Sequence, residues 1–138
     1  MDDTTRVTVT STGTPWRVDI SDGAHQWHGD EPASVGGGDS APDPMQQLCG
    51  ALGTCTAITV QMYAQRKQWP LTGIEVTVTM NPSGKPADGA TEFARVIRLD
   101  GALDDEQRAR LLDIANKCPT HRILSGTIRI ATGLSSRA

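Results

Sequence analysis

At 138 residues the chain is long enough to fill one real core and too short for two, so residues 1–138 are read as a single domain. Its 16 acidic and 13 basic side chains leave a net charge of −3, and Arg66-Lys67 is the only adjacent basic pair. No basic stripe can follow a phosphate backbone, which excludes nucleic acid as a partner. The opening Met1-Asp2-Asp3-Thr4-Thr5-Arg6 lacks the charged-then-apolar order of an export signal, and no apolar run approaches the roughly 20 residues that span a bilayer. These features predict a soluble, cytoplasmic protein with no membrane partner. In that compartment Cys49, Cys55 and Cys118 read as free, catalytic or metal-binding thiols rather than a permanent disulfide framework.

Arg6 to Thr10 and Pro15 to Ile20 alternate in polarity and predict two strands joined at Gly13, with Trp16, Val18 and Ile20 on one face of the second. Asp22-Gly23 then signals a hairpin into a third strand around His25 to His28. The stretch 29–44, with Pro32, Gly36-Gly37-Gly38, Pro42 and Pro44, predicts a loop. From Pro44 the period changes. Leu48, Leu52, Cys55, Thr59 and Met62 recur at steps of four and three and predict one helical stripe, in a helix that Pro70 ends after Trp69. Small residues flank that stripe, and each glycine costs roughly 1 kcal/mol against alanine, so close packing of another element is expected to compensate. The helix is therefore expected to be long, central and buried. Cys49, six residues before Cys55, falls on a different face and reads as core.

Ile74 to Met80 and Phe93 to Leu99 alternate again and predict two antiparallel strands across a loop at 81–90. A second helix starts at Asp104 or Asp105, with Gln107 completing a capping box, and is expected to bury Leu103, Leu111, Leu112, Ile114 and Ala115. Pro119 breaks it beside Cys118, and Ile128 with Ile130 predict a last strand. The order of elements gives an α+β class with antiparallel sheets.

Two motifs invite sharper readings and lose them. Gly36-Gly37-Gly38 is followed by no lysine with serine or threonine, so it is a turn and not a phosphate loop. Cys118-x-x-His121 has the spacing of half a zinc site, but no second pair accompanies it, so no metal is expected. His25 and His28 read as strand decoration. That leaves Cys55 and Cys118, one on the central helix and one at a helix break, as a pair of backbone-held thiols able to cycle between dithiol and disulfide.

The run Pro44-x-x-x-Leu48-x-x-Ala51-Leu52-Gly53-Thr54-Cys55-Thr56, followed by Met62-Tyr63-Ala64 and Trp69-Pro70-Leu71, resembles the OsmC/Ohr family of thiol-dependent peroxidases. Gly29-Asp30-Glu31-Pro32 with Gly36-Gly37, Leu99-Asp100-Gly101-x-Leu103, and Ile114-Ala115-x-Lys117-Cys118-Pro119 carry the same resemblance, which runs from about Val18 to Ile130. It implies an OsmC-like fold, with antiparallel sheets around a long buried central helix, in an intertwined homodimer. It also implies reduction of organic hydroperoxides in oxidative stress defence, without a cofactor but with an external thiol or dithiol reductant. Cys55 would attack the peroxide and become a sulfenic acid, and Cys118 would resolve it as a disulfide. A nucleophilic thiolate at neutral pH needs a donor, a cation or a helix N-terminus, because an ordinary thiol titrates near 8.5. Apolar neighbours such as Leu52, Ile58 and Met62 favour alkyl or aryl hydroperoxides over hydrogen peroxide.

The sequence departs from the family at the activating pair. Family peroxidases place a glutamate at the start of the central helix to hold an arginine; here Met45 and Gln46 occupy those places, and no arginine lies between Arg17 and Arg66. Gln46 brings an acceptor without charge. Arg17 is the first candidate for the cation and Arg122 the second. The alternative to a peroxidase is a non-catalytic OsmC-like domain that binds a small hydrophobic ligand or a protein partner.

Overall fold

The computed structural model describes residues 4–135. The chain falls into two compact units, one ending at Gly50 and the other beginning at Ala51, with the boundary inside a long helix.

The first unit is built on a three-stranded antiparallel sheet of β1 (Thr8–Ser11), β2 (Val18–Ser21) and β3 (Gln26–Gly29), in that order. The three predicted strands are present, the first two shorter than their alternating runs and the third displaced by one residue. Trp16 does not extend β2: its φ of +69° lies in the left-handed region, outside strand geometry, and its indole N–H donates to the Val35 carbonyl at 3.0 Å. Ile20 alone of these strands' large apolar side chains is buried. The hairpin into β3 is closed by Asp22, whose carboxylate accepts the N–H groups of Ala24 and His25 at 2.8 and 2.6 Å.

The loop after β3 contains only a short 3₁₀ turn, Ala33–Val35, and is organised by one buried carboxylate. Asp30, 3% exposed, accepts from Glu31 N and Gly38 N with one oxygen and from Ser40 N and Ser40 Oγ with the other. Gly37 has to be glycine here, since a Cβ would stand 2.0 Å from the Glu31 carbonyl oxygen. The glycine run turns the chain, as its sequence predicts.

α1 (Pro44–Lys67) begins with a reciprocal cap: Gln46 N–H donates to Asp43 Oδ1 at 2.8 Å, and Asp43 N–H to Gln46 Oε1 at 2.9 Å. It ends in a Schellman turn, with Gln68 at φ +57° and Trp69 N–H reaching back to the Ala64 carbonyl at 2.9 Å. The helix thus stops at Lys67, before Trp69 and Pro70.

In the second unit, β4 (Leu71–Met80) and β5 (Phe93–Gly101) pair antiparallel from Met80↔Phe93 to Leu71↔Gly101. α2 (Asp105–Ala115) carries the predicted capping box, Asp104 with Gln107, worth about 1 kcal/mol. The core joins Val60 and Ala64 of α1 to Leu111, Ile114 and Ala115 of α2, with Ile74, Ile97 and Leu99 of the strands packed against them. Burying each large aliphatic side chain here stabilises the fold by about 1.5–3 kcal/mol.

Four expectations change. The buried stripe of α1 is Leu52, Thr56, Val60 and Ala64, in steps of four, while Met62 is 58% exposed and Cys55 and Cys49 are only half-buried. Thr56 can lie in the core because its hydroxyl donates to the Leu52 carbonyl at 2.7 Å, leaving no polar hydrogen unpaired. Leu112 is 55% exposed, one step off the face that Leu111 and Ala115 bury. After Pro119 the chain makes another helix, α3 (Pro119–Leu124), and Ile128 and Ile130 then lie outside any strand, with no strand beside them among the described residues. The expected compensation for helix glycines holds at Gly53, where a Cβ would meet Val78 Cγ2 at 3.3 Å, but nothing lies within 4 Å of Gly50.

Candidate active site

The break between α2 and α3 places both sulfurs on the first turn of α3. The first N–H groups of a helix have no partner within it. Pro119 at the first position has no N–H to leave unpaired. The next donor, Thr120 N–H, points to Cys55 Sγ at 3.5 Å, and the one after, His121 N–H, to Cys118 Sγ at 3.3 Å. Cys118 is the N-cap of α3, extended at φ −63° and ψ 145°, and fully buried; Cys55 on α1 is half-buried. Successive backbone donors therefore serve the two thiols that the sequence singles out. Cys49 takes no part in these bonds.

Burial pushes the Cys55 thiol up, but the Thr120 hydroxyl and N–H, the Cys118 thiol and the Thr59 hydroxyl outweigh it and bring Cys55 below the ordinary thiol value. These donors are neutral. A more readily formed thiolate is what nucleophilic sulfur needs.

The cation beside this pair is Arg95 on β5. Its Nη1 donates to Thr56 Oγ1 at 2.9 Å and the Ala115 carbonyl at 3.1 Å, and lies 4.0 Å from Cys118 Sγ. Nη2 donates to Asn116 Oδ1 at 3.0 Å and to His121 Nδ1, which makes that ring nitrogen the acceptor and puts the proton of a neutral ring on Nε2. Among the described residues no carboxylate pairs with this guanidinium. The signal for it was in the sequence: Arg95 interrupts the apolar face Phe93, Ile97, Leu99, where a charge must be held by something. A cleft of about 230 Å³ opens beside Arg95 and His121, walled by Leu52, Phe93 and Leu124.

Arg17, Gln46 and Arg122 are the candidate activating residues. Arg17 donates to Ser40 Oγ at 2.8 Å, in the loop around Asp30. Gln46 is engaged in the cap of α1. Arg122 is exposed on α3, and its backbone N–H bonds the Cys118 carbonyl. None of the three has a side-chain hydrogen bond to either sulfur. Among the described residues no group of three or more His, Cys, Asp or Glu is placed to hold a metal ion, and no helix is long and apolar enough to cross a membrane.

A family model described as OsmC-like protein matches residues 36–133. The chain belongs to the OsmC-like family. No curated protein matches it. Solved structures share the fold at low identity. An OsmC-like protein from Mycoplasma pneumoniae is 19% identical, with a TM-score of 0.74 over 91% of this chain and 90% of that one. An organic hydroperoxide resistance protein from Legionella pneumophila is 20% identical, with a TM-score of 0.63 over 89% and 90%. The organic hydroperoxide resistance protein OhrB of Bacillus subtilis is 21% identical, with a TM-score of 0.60 over 89% and 91%. The α+β class with antiparallel sheets and a long helix is thus that of the OsmC/Ohr structures.

Proposed function

We propose that this OsmC-like chain is a thiol-dependent peroxidase for organic hydroperoxides, acting in oxidative stress defence. The observation that carries the reading is the shared first turn of α3, which donates one N–H to Cys55 and the next to Cys118. Cys55, more accessible and lowered in pKa, is the attacking thiolate. Its sulfur takes the outer peroxide oxygen as the O–O bond breaks; the alkoxide leaves and is protonated to the alcohol, and Cys55 becomes a sulfenic acid. The Cys118 thiolate then attacks that sulfur, a Cys55–Cys118 disulfide forms, and hydroxide leaves as water. An external thiol or dithiol restores both thiols, and no cofactor takes part. Arg17, with Gln46 and Arg122 as further candidates, keeps its assigned role of tuning Cys55.

A second copy of the chain belongs to the proposal, since Ile58 and Met62 of α1 stand 49% and 58% exposed in a single chain. Light scattering at micromolar concentration should return a dimer. Burial of about 100 Å² of substrate is worth about 2.5 kcal/mol, so a cumyl-type hydroperoxide should react nearly two decades faster than hydrogen peroxide. The deciding experiment follows consumption of cumene hydroperoxide with dithiothreitol by wild type and Cys55→Ser. Wild type should turn over, and Cys55→Ser should fall on the order of 10³-fold or more. Equal rates would reject the reading, and a folded wild type without turnover would favour the ligand-binding alternative.

A further inference from the structure

We infer that Arg95 is the residue that carries the negative charge of Cys118 when this cysteine leaves or attacks as a thiolate. The inference rests on the proposed pairing of Cys55 with Cys118, but its chemistry can be tested without any peroxide.

Cys118 and Thr56 are both 0% exposed, so water cannot solvate a charge on that sulfur. The hydrogen inventory around it is restrictive. Thr56 spends its only polar hydrogen on the Leu52 carbonyl at 2.7 Å, so towards Cys118, at 3.7 Å, its oxygen can only accept. Thr56 therefore offers no hydrogen to a thiolate on Cys118, and that thiolate needs other donors or a cation. The His121 N–H reaches it at 3.3 Å, and Arg95 Nη1, whose two hydrogens also serve Thr56 Oγ1 and the Ala115 carbonyl, stands at 4.0 Å. Of these only Arg95 is a cation. It is held there by the Ala115 carbonyl and Asn116 Oδ1, with His121 Nδ1 as a further acceptor, and no carboxylate among the described residues competes for it. A guanidinium with every anchor neutral keeps its whole charge for the sulfur.

The consequence falls on both halves of the cycle. In resolution, Arg95 stabilises the thiolate that attacks oxidised Cys55. In reduction, a thiolate of the reductant bonds to the more accessible Cys55 Sγ, the Cys55–Cys118 bond breaks, and its electron pair leaves on Cys118 beside Arg95. The reductant's second thiolate then displaces Cys55, giving the reductant's disulfide and two protein thiols that take protons from solvent. Exchange is faster when the leaving thiolate is better stabilised.

The test uses the full chain oxidised with diamide, which makes the disulfide without peroxidase activity. Reduction by dithiothreitol is then followed against pH for wild type, Arg95→Met, Arg95→Lys and Asn116→Ala. Arg95→Met should be reduced more slowly, on the order of 10²-fold at neutral pH, as for loss of a positive group at a developing anion. Arg95→Lys keeps a cation and should recover most of the rate. Asn116→Ala changes an exposed residue, leaves the charge in place, and should be intermediate. Equal rates and pH profiles in Arg95→Lys, Asn116→Ala and wild type, with Arg95→Met also unchanged or too unstable to purify, would overturn the inference. Absence of peroxide turnover with the expected exchange rates would instead reject only the peroxidase reading.

Discussion

Asp30 and Cys118 are both closed off from solvent, at 3% and 0% exposure, and both are met by backbone donors, yet their surroundings differ in kind. The two oxygens of Asp30 accept four hydrogen bonds, three from N–H groups and one from a hydroxyl, which fills the acceptor capacity of a carboxylate. Its charge is fully used in holding a loop. Around Cys118 the contacts are longer, at 3.3 to 4.0 Å, and a guanidinium without a carboxylate stands among them. There the capacity to hold a negative charge is present in excess. A saturated anion site makes structure, and an unsaturated one beside a second thiol leaves room for chemistry.

The strongest way to break this contrast is Cys118→Ser. If the sulfur cluster serves chemistry, the variant should fold with nearly wild-type stability, consume about one equivalent of cumene hydroperoxide per Cys55, and then stop. Mass spectrometry should find a sulfenic acid on Cys55 that drifts to sulfinic acid, since no second thiol captures it. Sustained turnover at the wild-type rate would show that Cys118 is structural, like Asp30.

Asp30→Asn tests the other side. The amide replaces an acceptor oxygen with a donor that faces N–H groups already pointing inward, so the loop should open and the urea midpoint should fall. Its pH dependence has a definite sign. The Ser40 hydroxyl and the surrounding N–H groups hold Asp30 at about 2 against an ordinary value of 3.8. A lowered folded-state value contributes stability that is fully present above the unfolded value and is lost as pH falls towards about 2. Wild type should therefore lose stability on acidification faster than Asp30→Asn. Parallel curves between about pH 5 and about pH 2 would mean that Asp30 does not carry this linkage.

The same contrast explains what the sequence reveals. Strands β4 and β5 and the capped start of α2 are legible because alternation and the Asp104-x-x-Gln107 box are local signals with one structural solution. The buried stripe of α1 is harder, because Thr56 looks polar in sequence and becomes a core residue only once its hydroxyl bonds the Leu52 carbonyl. The six residues of α3 are too few for a periodic signal, and Pro119 reads as a stop although it is the first position of a new helix. Ile128 and Ile130 alternate like a strand, but alternation says nothing about whether a neighbouring strand is available. Cys55 and Cys118 stand out through their local settings. Arg95 is marked locally only as a charge on an apolar strand face, and what it serves depends on residues 20 to 39 positions away, at Ala115, Asn116, Cys118, His121 and Thr56.

The finest test concerns Cys55 itself, where the two sources of activation can be separated. Thr120 gives the largest lowering contributions to this thiol, through its hydroxyl and its N–H, and Thr120→Val removes the first while keeping the second. Removing a donor to a thiolate raises the pKa, so the midpoint of alkylation rate against pH should move upwards, by less than the full effect of the turn because the N–H at 3.5 Å remains. Arg17→Ala is the matched comparison. A cation that tunes Cys55 would leave a similar upward shift when removed, and Gln46→Glu, which supplies a carboxylate, would then sharpen or weaken it through the position of that guanidinium. If Arg17→Ala and Gln46→Glu keep the wild-type midpoint while Thr120→Val moves it, the neutral donors at α3 suffice for Cys55 and the work of Arg17 lies with Ser40. If Thr120→Val also keeps that midpoint, the first turn of α3 orients the Cys55 sulfur without changing its acidity, and the contrast between a saturated and an unsaturated anion site narrows to Cys118 and Arg95 alone.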